Sequence, residues 1–260
     1  MDVDRCLVSI PWETRNLGLQ SFQVSDVFVR QPDGSFLQEA VNKKIEEYGR
    51  IFVQARVSMN DSLAIAVLEQ NGFYFVEMVL VPYANLKTNK VLKHFIDNRD
   101  AFVPNGPGKD KWKVAGVDKT DTPMIRRIKD IAVESFVDDR FHRDWRCNKE
   151  IANRRFSYWV DDLAADREAT FCVITNHDKP EGFMIRKGDN LILGGLSRQS
   201  AGKGIGKLFW LSTLEDMLNE GFSDVHTLIS VNNIPVLNLY AGLSFKFKEP
   251  AATLHYWMPS

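Results

Sequence analysis

The sequence predicts an α/β protein with a mixed sheet, built as two related units in tandem. Three observations predict it. Strand-like and helix-like segments alternate along the second half of the chain. An apolar strand there runs through a glycine-rich loop directly into a long helix. A weak internal repeat relates the two halves: Asp61, Leu68 and Phe73 recur as Asn233, Tyr240 and Phe245, a constant 172 positions later.

The elements follow in order. Residues 22–30 place Phe or Val at roughly every second position, the pattern of a strand. Residues 40–49 read as a helix and 51–57 as a strand. Residues 61–71 form a helix with Leu63, Val67 and Leu68 on one face, and Gly72 stands at the usual C-terminal glycine position. Residues 73–81 form a strand. The run Pro104, Asn105, Gly106, Pro107, Gly108 is a strong loop signal, and 104–110 reads as a linker between a unit at 1–103 and a unit at 111–260. Beyond it, 112–117 is a strand and 122–134 a helix capped by Asp121 or Thr120. A second helix covers 148–162. Residues 171–175 and 182–186 form a hairpin, and 190–197 a strand. Residues 206–221 read as a strong amphipathic helix. Residues 224–231 form a strand and 235–241 a short helix, with closing strands at 245–248 and 253–258.

The bulk properties exclude several classes. Lys plus Arg number 33 and Asp plus Glu 34, so the charge balance offers no argument for nucleic acid or an anionic membrane surface. No stretch approaches the roughly 20 apolar residues of a membrane span. Cys6, Cys147 and Cys172 are widely spaced and suggest neither a metal site nor a disulfide framework, which fits reduced thiols in the cytoplasm. The first residues carry acid and no long apolar run, so no signal peptide is read there.

The chemistry concentrates in LILGGLSRQSAGKGIGKLFWLSTLEDMLNEGF. Gly202, Gly204 and Gly206 alternate with Lys203 and Ile205. Glycines let a ligand approach the backbone, and the free N–H groups and dipole of the following helix favour an anion. Lys203 and Lys207 add positive charge, making a pyrophosphate cradle. A P-loop would need a Ser or Thr after its lysine, and Gly206-Lys207-Leu208 lacks one. A dinucleotide fingerprint would need a ribose-binding acid about 20 residues on, at the end of the next strand, whereas Asp224 begins it.

Downstream, SVNNIPVLNLYAGLSF resembles the second signature of the GCN5-related N-acetyltransferase (GNAT) superfamily. That family's first signature, Arg/Gln-x-x-Gly-x-Gly/Ala, falls on residues 201–206, with Ala201 where Arg or Gln is usual. Its Asn-x-x-Ala and Leu-Tyr-x-x-x-Gly-Phe pattern falls on Asn233, Val236, Leu239, Tyr240, Ser244 and Phe245. A narrower resemblance, to TDP-fucosamine N-acetyltransferases, rests on the opening Pro-Trp-Glu and Asn-Leu-Gly, on DDRFHRDW and on the final HYWMP. The resemblance implies a GNAT fold with a degenerate GNAT-like unit ahead of it. It implies acetyl-CoA as co-substrate and a small-molecule amine, such as that of an amino-sugar nucleotide, as acceptor. The alternatives are another small amine or a longer acyl-CoA, and, in a different class, a non-catalytic acyl-CoA-binding protein. A second copy of the chain as partner is left open.

The resemblance also assigns roles. Gly195, Leu196 and Ser197 would hold the pantetheine by their backbone, with the Leu196 N–H polarising the thioester carbonyl. Tyr240 would protonate the leaving thiolate. The cradle would comprise Gly202, Lys203, Gly204, Ile205, Gly206 and Lys207, with Asn233 behind it. The strand before the loop lacks the carboxylate base of many relatives. Candidates for that role are Glu13, Asp139, His142, Asp144 or water. Arg140 could pair a substrate phosphate or bridge Asp138 or Asp144. Trp12 reads as core packing more readily than as a sugar platform. The first copy has Leu68 in place of Tyr240 and no glycine loop, so the second copy is expected to be the active one. No metal is expected.

Overall fold

The computed structural model describes residues 3–104 and 112–258; of the expected linker at 104–110, only Pro104 lies within them. The first half comprises β1 (Leu7–Ser9), α1 (Pro11–Leu17), β2 (Gln20–Val24), α2 (Asp26–Arg30), α3 (Gly34–Tyr48), β3 (Ile51–Ser58), α4 (Ser62–Gln70), β4 (Tyr74–Asn85) and α5 (Lys90–Asp97). The second comprises β5 (Trp112–Gly116), α6 (Thr122–Ser135), α7 (Arg140–Arg143), α8 (Lys149–Ala165), β6 (Ala169–Asn176), β7 (Lys179–Lys187), β8 (Asn190–Leu196), α9 (Ile205–Asn219), β9 (Asp224–Thr227), β10 (Ile229–Ser230), α10 (Ile234–Gly242) and β11 (Lys246–Trp257).

Local chemistry sets these boundaries. The carboxylate of Asp121 accepts from Met124 N–H and starts α6; Asn148 does the same for α8 through Glu150 N–H. His177 and Asp178, both at positive φ, make the turn of the β6–β7 hairpin. Gly72, at φ +84°, terminates α4 while Phe73 N–H reaches back to Leu68 O. Four sequence expectations need correction. Residues 22–30 are not one strand, because Ser25 N–H bonds Cys6 O and the chain then winds into α2. The strand expected at 224–231 breaks at the exposed Leu228. The two closing strands are one, β11, with an irregularity between Lys248 and Ala251. The helix expected to be amphipathic, α9, buries residues on nearly every side, from Leu208 through Leu214 without a break.

Among the described residues, ten strands form one sheet in the order β1-β2-β3-β11-β4-β9-β8-β7-β6-β5, and β10 adds to β4. The final strand of the chain thus lies inside the first half, between β3 and β4. The last strand of the first half, β4, lies beside β9 and β10 of the second. The two halves exchange their last strands, and β4 and β11 pair antiparallel at the centre.

The exchange is reciprocal to the residue. Gln54 pairs with His255 and Val57 with Ala252; 172 positions away, His226 pairs with Tyr83 and Ile229 with Leu80. Met59 N–H donates to Pro250 O, and its counterpart Val231 N–H donates to Met78 O, both at 2.9 Å. The helices α4 and α10 stand at the same offset and end alike, Phe73 N–H on Leu68 O and Phe245 N–H on Tyr240 O. The repeat seen in the sequence is therefore a duplicated strand–helix–strand unit.

Helices α3 and α4 pack on one face of the sheet with Ile51, Val53 and Leu254. Helices α9 and α10 continue that face in the second half, with α5 against them. On the opposite face lie α6 and α8, and, over the first half, α1 and α7, where Leu17, Phe52, Phe141 and Ala152 make a small apolar cluster. Asp144, just after α7, fastens this layer to the exchanged strands. It is 2% exposed and accepts from Tyr74 Oη, His255 Nδ1 and Trp257 Nε1, each at 2.7 Å, and from Arg146 N–H at 2.9 Å. Burial opposes its charge, but these donors hold its carboxyl below the usual range. Asp144→Asn would set an amide N–H₂ against donors already in place. We expect a loss of about 3 kcal/mol, read as a lower urea midpoint with unchanged slope.

Candidate active site

Strands β8 and β9 are parallel but pair only at Asn190 with His226 and Leu191 with Thr227. Beyond Leu191 they part, and the sheet opens into a fork. Ser197 N–H donates to Glu181 O at 2.8 Å. By strand alternation the N–H of Leu196 then points away from β7, into the fork. Gly194 and Gly195 have no room for a side chain: a Cβ on Gly194 would fall 2.7 Å from Met184 Sδ, and one on Gly195 2.9 Å from Ser135 Oγ. Ser135 Oγ in turn donates to Leu196 O at 2.7 Å.

The loop leaving β8 is anchored and then bare. Glu181 accepts from the hydroxyl of Ser197 and, at 2.9 Å, from that of Ser200. Burial of Glu181 is outweighed by these bonds and by Lys179, which hold its carboxyl below the usual range. From Ala201 to Gly204 every residue is exposed. Gly202 and Gly204 sit at φ +77° and +81°, where a side chain would be strained. Gly204 is the N-cap of α9 and provides no side-chain cap, so the first N–H groups of the helix have no side-chain partner there. α3, α5, α6, α8 and α10 are each capped by Asp or Asn. Lys203 and Lys207 are exposed and make no ion pair among the described residues. Asn233 accepts from Val236 N–H and so starts α10.

Tyr240 lies where the fork closes, on the α9–α10 face. It is 3% exposed, and its hydroxyl accepts from Trp210 Nε1 at 3.0 Å. Thr227 Oγ1 donates to Leu191 O at 2.7 Å, at the point where the fork closes. Burial pushes the Tyr240 phenol up to about 12, so it is a neutral proton donor at neutral pH.

The remaining sequence candidates divide. Glu13 is wholly buried and holds Arg140 at 2.7 Å and Arg155 at 3.0 Å. It is an ion-pair anchor, and its pKa is lowered because the two arginines outweigh its burial. Arg140 therefore bridges neither Asp138 nor Asp144; burial brings it down to about 10. Asp144, with four donors, has no free lone pair for a base. Trp12 is 56% exposed on α1, so the core expectation does not hold. His142 hydrogen-bonds Asp139 and Asn153 and lines a cleft of about 340 Å³ with Val137, Lys149 and Arg198. A neighbouring cleft of about 320 Å³ shares Glu134 and Arg198 and reaches Ser197 and Gln199.

The structure adds two residues that the sequence reading missed. Glu181 is one. Glu77 on β4 is the other: it is 4% exposed, and burial raises its pKa. An acid in the middle of the apolar run FYFVEMVLV was the available signal. Among the described residues no cluster of His, Cys, Asp and Glu could hold a metal ion.

The architecture was compared with known proteins. No protein-family model and no curated protein matches the sequence. Solved structures do. A GCN5-related N-acetyltransferase from Sphaerobacter thermophilus superposes with a TM-score of 0.64 at 14% identity, covering 96% of this chain and 76% of the other. A tandem GNAT protein from the clavulanic acid biosynthesis pathway gives 0.59 at 14% identity over 92% and 76%. A GCN5-related N-acetyltransferase from Kribbella flavida gives 0.55 at 12% identity over 93% and 82%. The chain has the GNAT fold, in tandem. In the terms of that fold the fork, the bare α9 terminus and Tyr240 all belong to the second unit.

His142 supplies a pH test. Burial opposes its imidazolium, but the bonds to Asp139 and Asn153 and the charge of Asp139 outweigh it, so its pKa is raised. A raised pKa stabilises the fold below the ordinary histidine value of about 6.5 and loses that stabilisation as pH climbs through the folded value. Wild type should therefore exceed His142→Gln in stability by about 1 kcal/mol or more at pH 6, with the gap narrowing by pH 8, as read from urea midpoints.

Proposed function

We propose that this chain is an acetyl-CoA-dependent N-acetyltransferase acting on the amine of a small molecule. The observation that carries the reading is the fork between β8 and β9, with a bare helix N-terminus at its mouth and a buried neutral tyrosine where it closes. The functional division is an N-terminal unit at 1–103 and a catalytic unit at 111–260. Three free thiols accord with the cytoplasm. Among the described residues no helix is long and apolar enough to cross a membrane.

Gly202 to Lys207 cradle the pyrophosphate with backbone N–H groups and the dipole of α9, and Lys203 and Lys207 add charge. The pantetheine lies along Gly195, Leu196 and Ser197. The amine nitrogen attacks the thioester carbon, whose oxygen accepts from the Leu196 N–H; the new C–N bond forms as the C–S bond breaks, and the thiolate takes the proton of Tyr240.

The first unit binds no cofactor in this reading. Its strands β2 and β3 stay paired from Gln20 with Ile51 to Gln23 with Gln54, so no fork opens. The N-terminus of α3 is plugged by Asp33, whose carboxylate accepts from Ser35 and Phe36 N–H and would repel an anion.

Gly204→Glu should abolish acetyl-CoA binding and leave the fold. Nothing stands within 4 Å of the new Cβ, so the cost is backbone strain of about 1 kcal/mol, while the carboxylate faces the pyrophosphate. Unchanged affinity by calorimetry would move the cofactor site elsewhere.

Tyr240→Phe should bind acetyl-CoA almost as tightly and lose about 10²–10⁴-fold in kcat. It should also lose about 1–3 kcal/mol of stability, because Trp210 Nε1 is left without its buried acceptor. More than half of wild-type kcat, with chemistry rate-limiting, would remove Tyr240 from the mechanism.

A further inference from the structure

On the face opposite Tyr240, the exchanged strands carry a row of polar side chains in register. Arg56 on β3 pairs with Thr253 on β11, which pairs with Glu77 on β4; one step along, Gln54 pairs with His255. The residues between them on β11, Ala252 and Leu254, belong to the apolar core on the other face. Arg140 stands on α7, which packs against β4.

This row is buried yet unsatisfied. Thr253 is 1% exposed, His255 0% and Gln54 9%. Thr253 Oγ1, His255 Nε2, Gln54 Oε1 and Arg140 Nε have no hydrogen-bond partner. Buried polar atoms of this kind are rare, and four in one place mark a site built for something polar. The charges are unbalanced too. Arg140 and Arg155 share Glu13, and Asp139 is taken by His142. Arg56 makes no ion pair among the described residues and is exposed, so the row meets solvent at that end.

The row runs toward the fork. Ser230 pairs with Val79 and so shares Glu77's face of the sheet. It also stands three residues beyond Thr227, where β8 and β9 part. A thioester held in the fork has Tyr240 on one face and Glu77 on the other.

We propose that this polar row binds the acceptor, and that the acceptor is an amine carrying an anionic group, carboxylate or phosphate, with Arg56 gripping the anion and Glu77 receiving the amine. The proposal rests on the acetyltransferase reading above. Glu77 takes the proton that the attacking nitrogen gives up as the C–N bond forms, while the departing sulfur takes the proton of Tyr240; both groups return to their starting state by exchange with solvent after release. Burial of Glu77 raises its affinity for that proton. Thr253, Gln54 and His255 supply hydrogen bonds to the acceptor's polar atoms.

The test uses the full chain, acetyl-CoA and paired amines: the common α-amino acids against their amides, and glucosamine 6-phosphate against glucosamine. Thiol release measures turnover, and calorimetry measures acetyl-CoA and amine binding separately. Turnover should be at least tenfold higher for the anionic member of a pair, and which pair responds distinguishes carboxylate from phosphate. Arg56→Gln should raise KM for that amine at least tenfold with acetyl-CoA affinity within twofold of wild type. Glu77→Gln should lower kcat at least 100-fold and remove the acidic limb of the kcat/KM profile. Wild-type protein that binds no acetyl-CoA refutes the acetyltransferase reading itself. Acetyl-CoA binding with equal turnover of charged and neutral amines, with no anionic amine bound, or with an unchanged KM in Arg56→Gln, overturns this acceptor site and leaves the cofactor reading standing.

Discussion

The antiparallel pairing of β4 with β11 is the constraint on which everything else depends. Each of these strands belongs by sequence to one unit and by hydrogen bonding to both. An exchanged strand satisfies the backbone donors and acceptors of a sheet edge that would otherwise stand open. It also fixes the register of the halves: once Met59 N–H finds Pro250 O and Val231 N–H finds Met78 O, no slip is available that preserves both apolar faces. The protein is consequently a single folding problem. β3 lacks its second neighbour until β11, from the far side of the second unit, arrives. Contacts of such sequence separation close slowly, and the large local helices must form and wait for them.

Within that shared scaffold the two copies have diverged by a few substitutions of clear physical sense. Gly204 against Asp33 decides whether a helix N-terminus is offered or occupied. A fork against a zipped pair decides whether a backbone N–H is free to meet a carbonyl oxygen. Tyr240 against Leu68 decides whether the end of the short helix holds a hydroxyl; both side chains are buried, so the exchange changes chemistry without disturbing the packing. The first copy lacks these three features and keeps the strand that completes its partner.

Much of this was legible in the sequence, and the reasons are specific. The duplication showed because the cap, the buried helix residue and the post-helix phenylalanine are spaced by helix geometry, which tolerates no insertion. The glycine loop showed because positive φ leaves a compositional mark. The exchange did not show, since a swapped strand and an unswapped one need the same alternation. The helix α2 was read as strand because Val27, Phe28 and Val29 are favourable in strands, and five residues are too few for a helical period to assert itself. α9 was read as amphipathic; in fact it is sandwiched between the sheet and α5, and its charged residues sit at the ends. Glu77 was passed over because its role depends on strands distant in sequence.

The polar layer between α1, α7, α8 and the sheet follows from the same constraint. Isolated ionised groups cannot be buried at tolerable cost, but a set of them can if each finds a partner with good geometry. Glu13 with Arg140 and Arg155, and Asp144 with its four donors, meet that condition by drawing on residues from both halves. They hold the loop between α6 and α8 rigidly over the exchanged strands. Rigidity there is what allows the unsatisfied atoms of Thr253, Gln54 and Arg140 to persist instead of collapsing onto one another. A buried polar row beside a forked sheet is thus a consequence of sharing strands. The interface must be polar enough to be specific, and the groups left over after its own pairing are the ones available to a ligand.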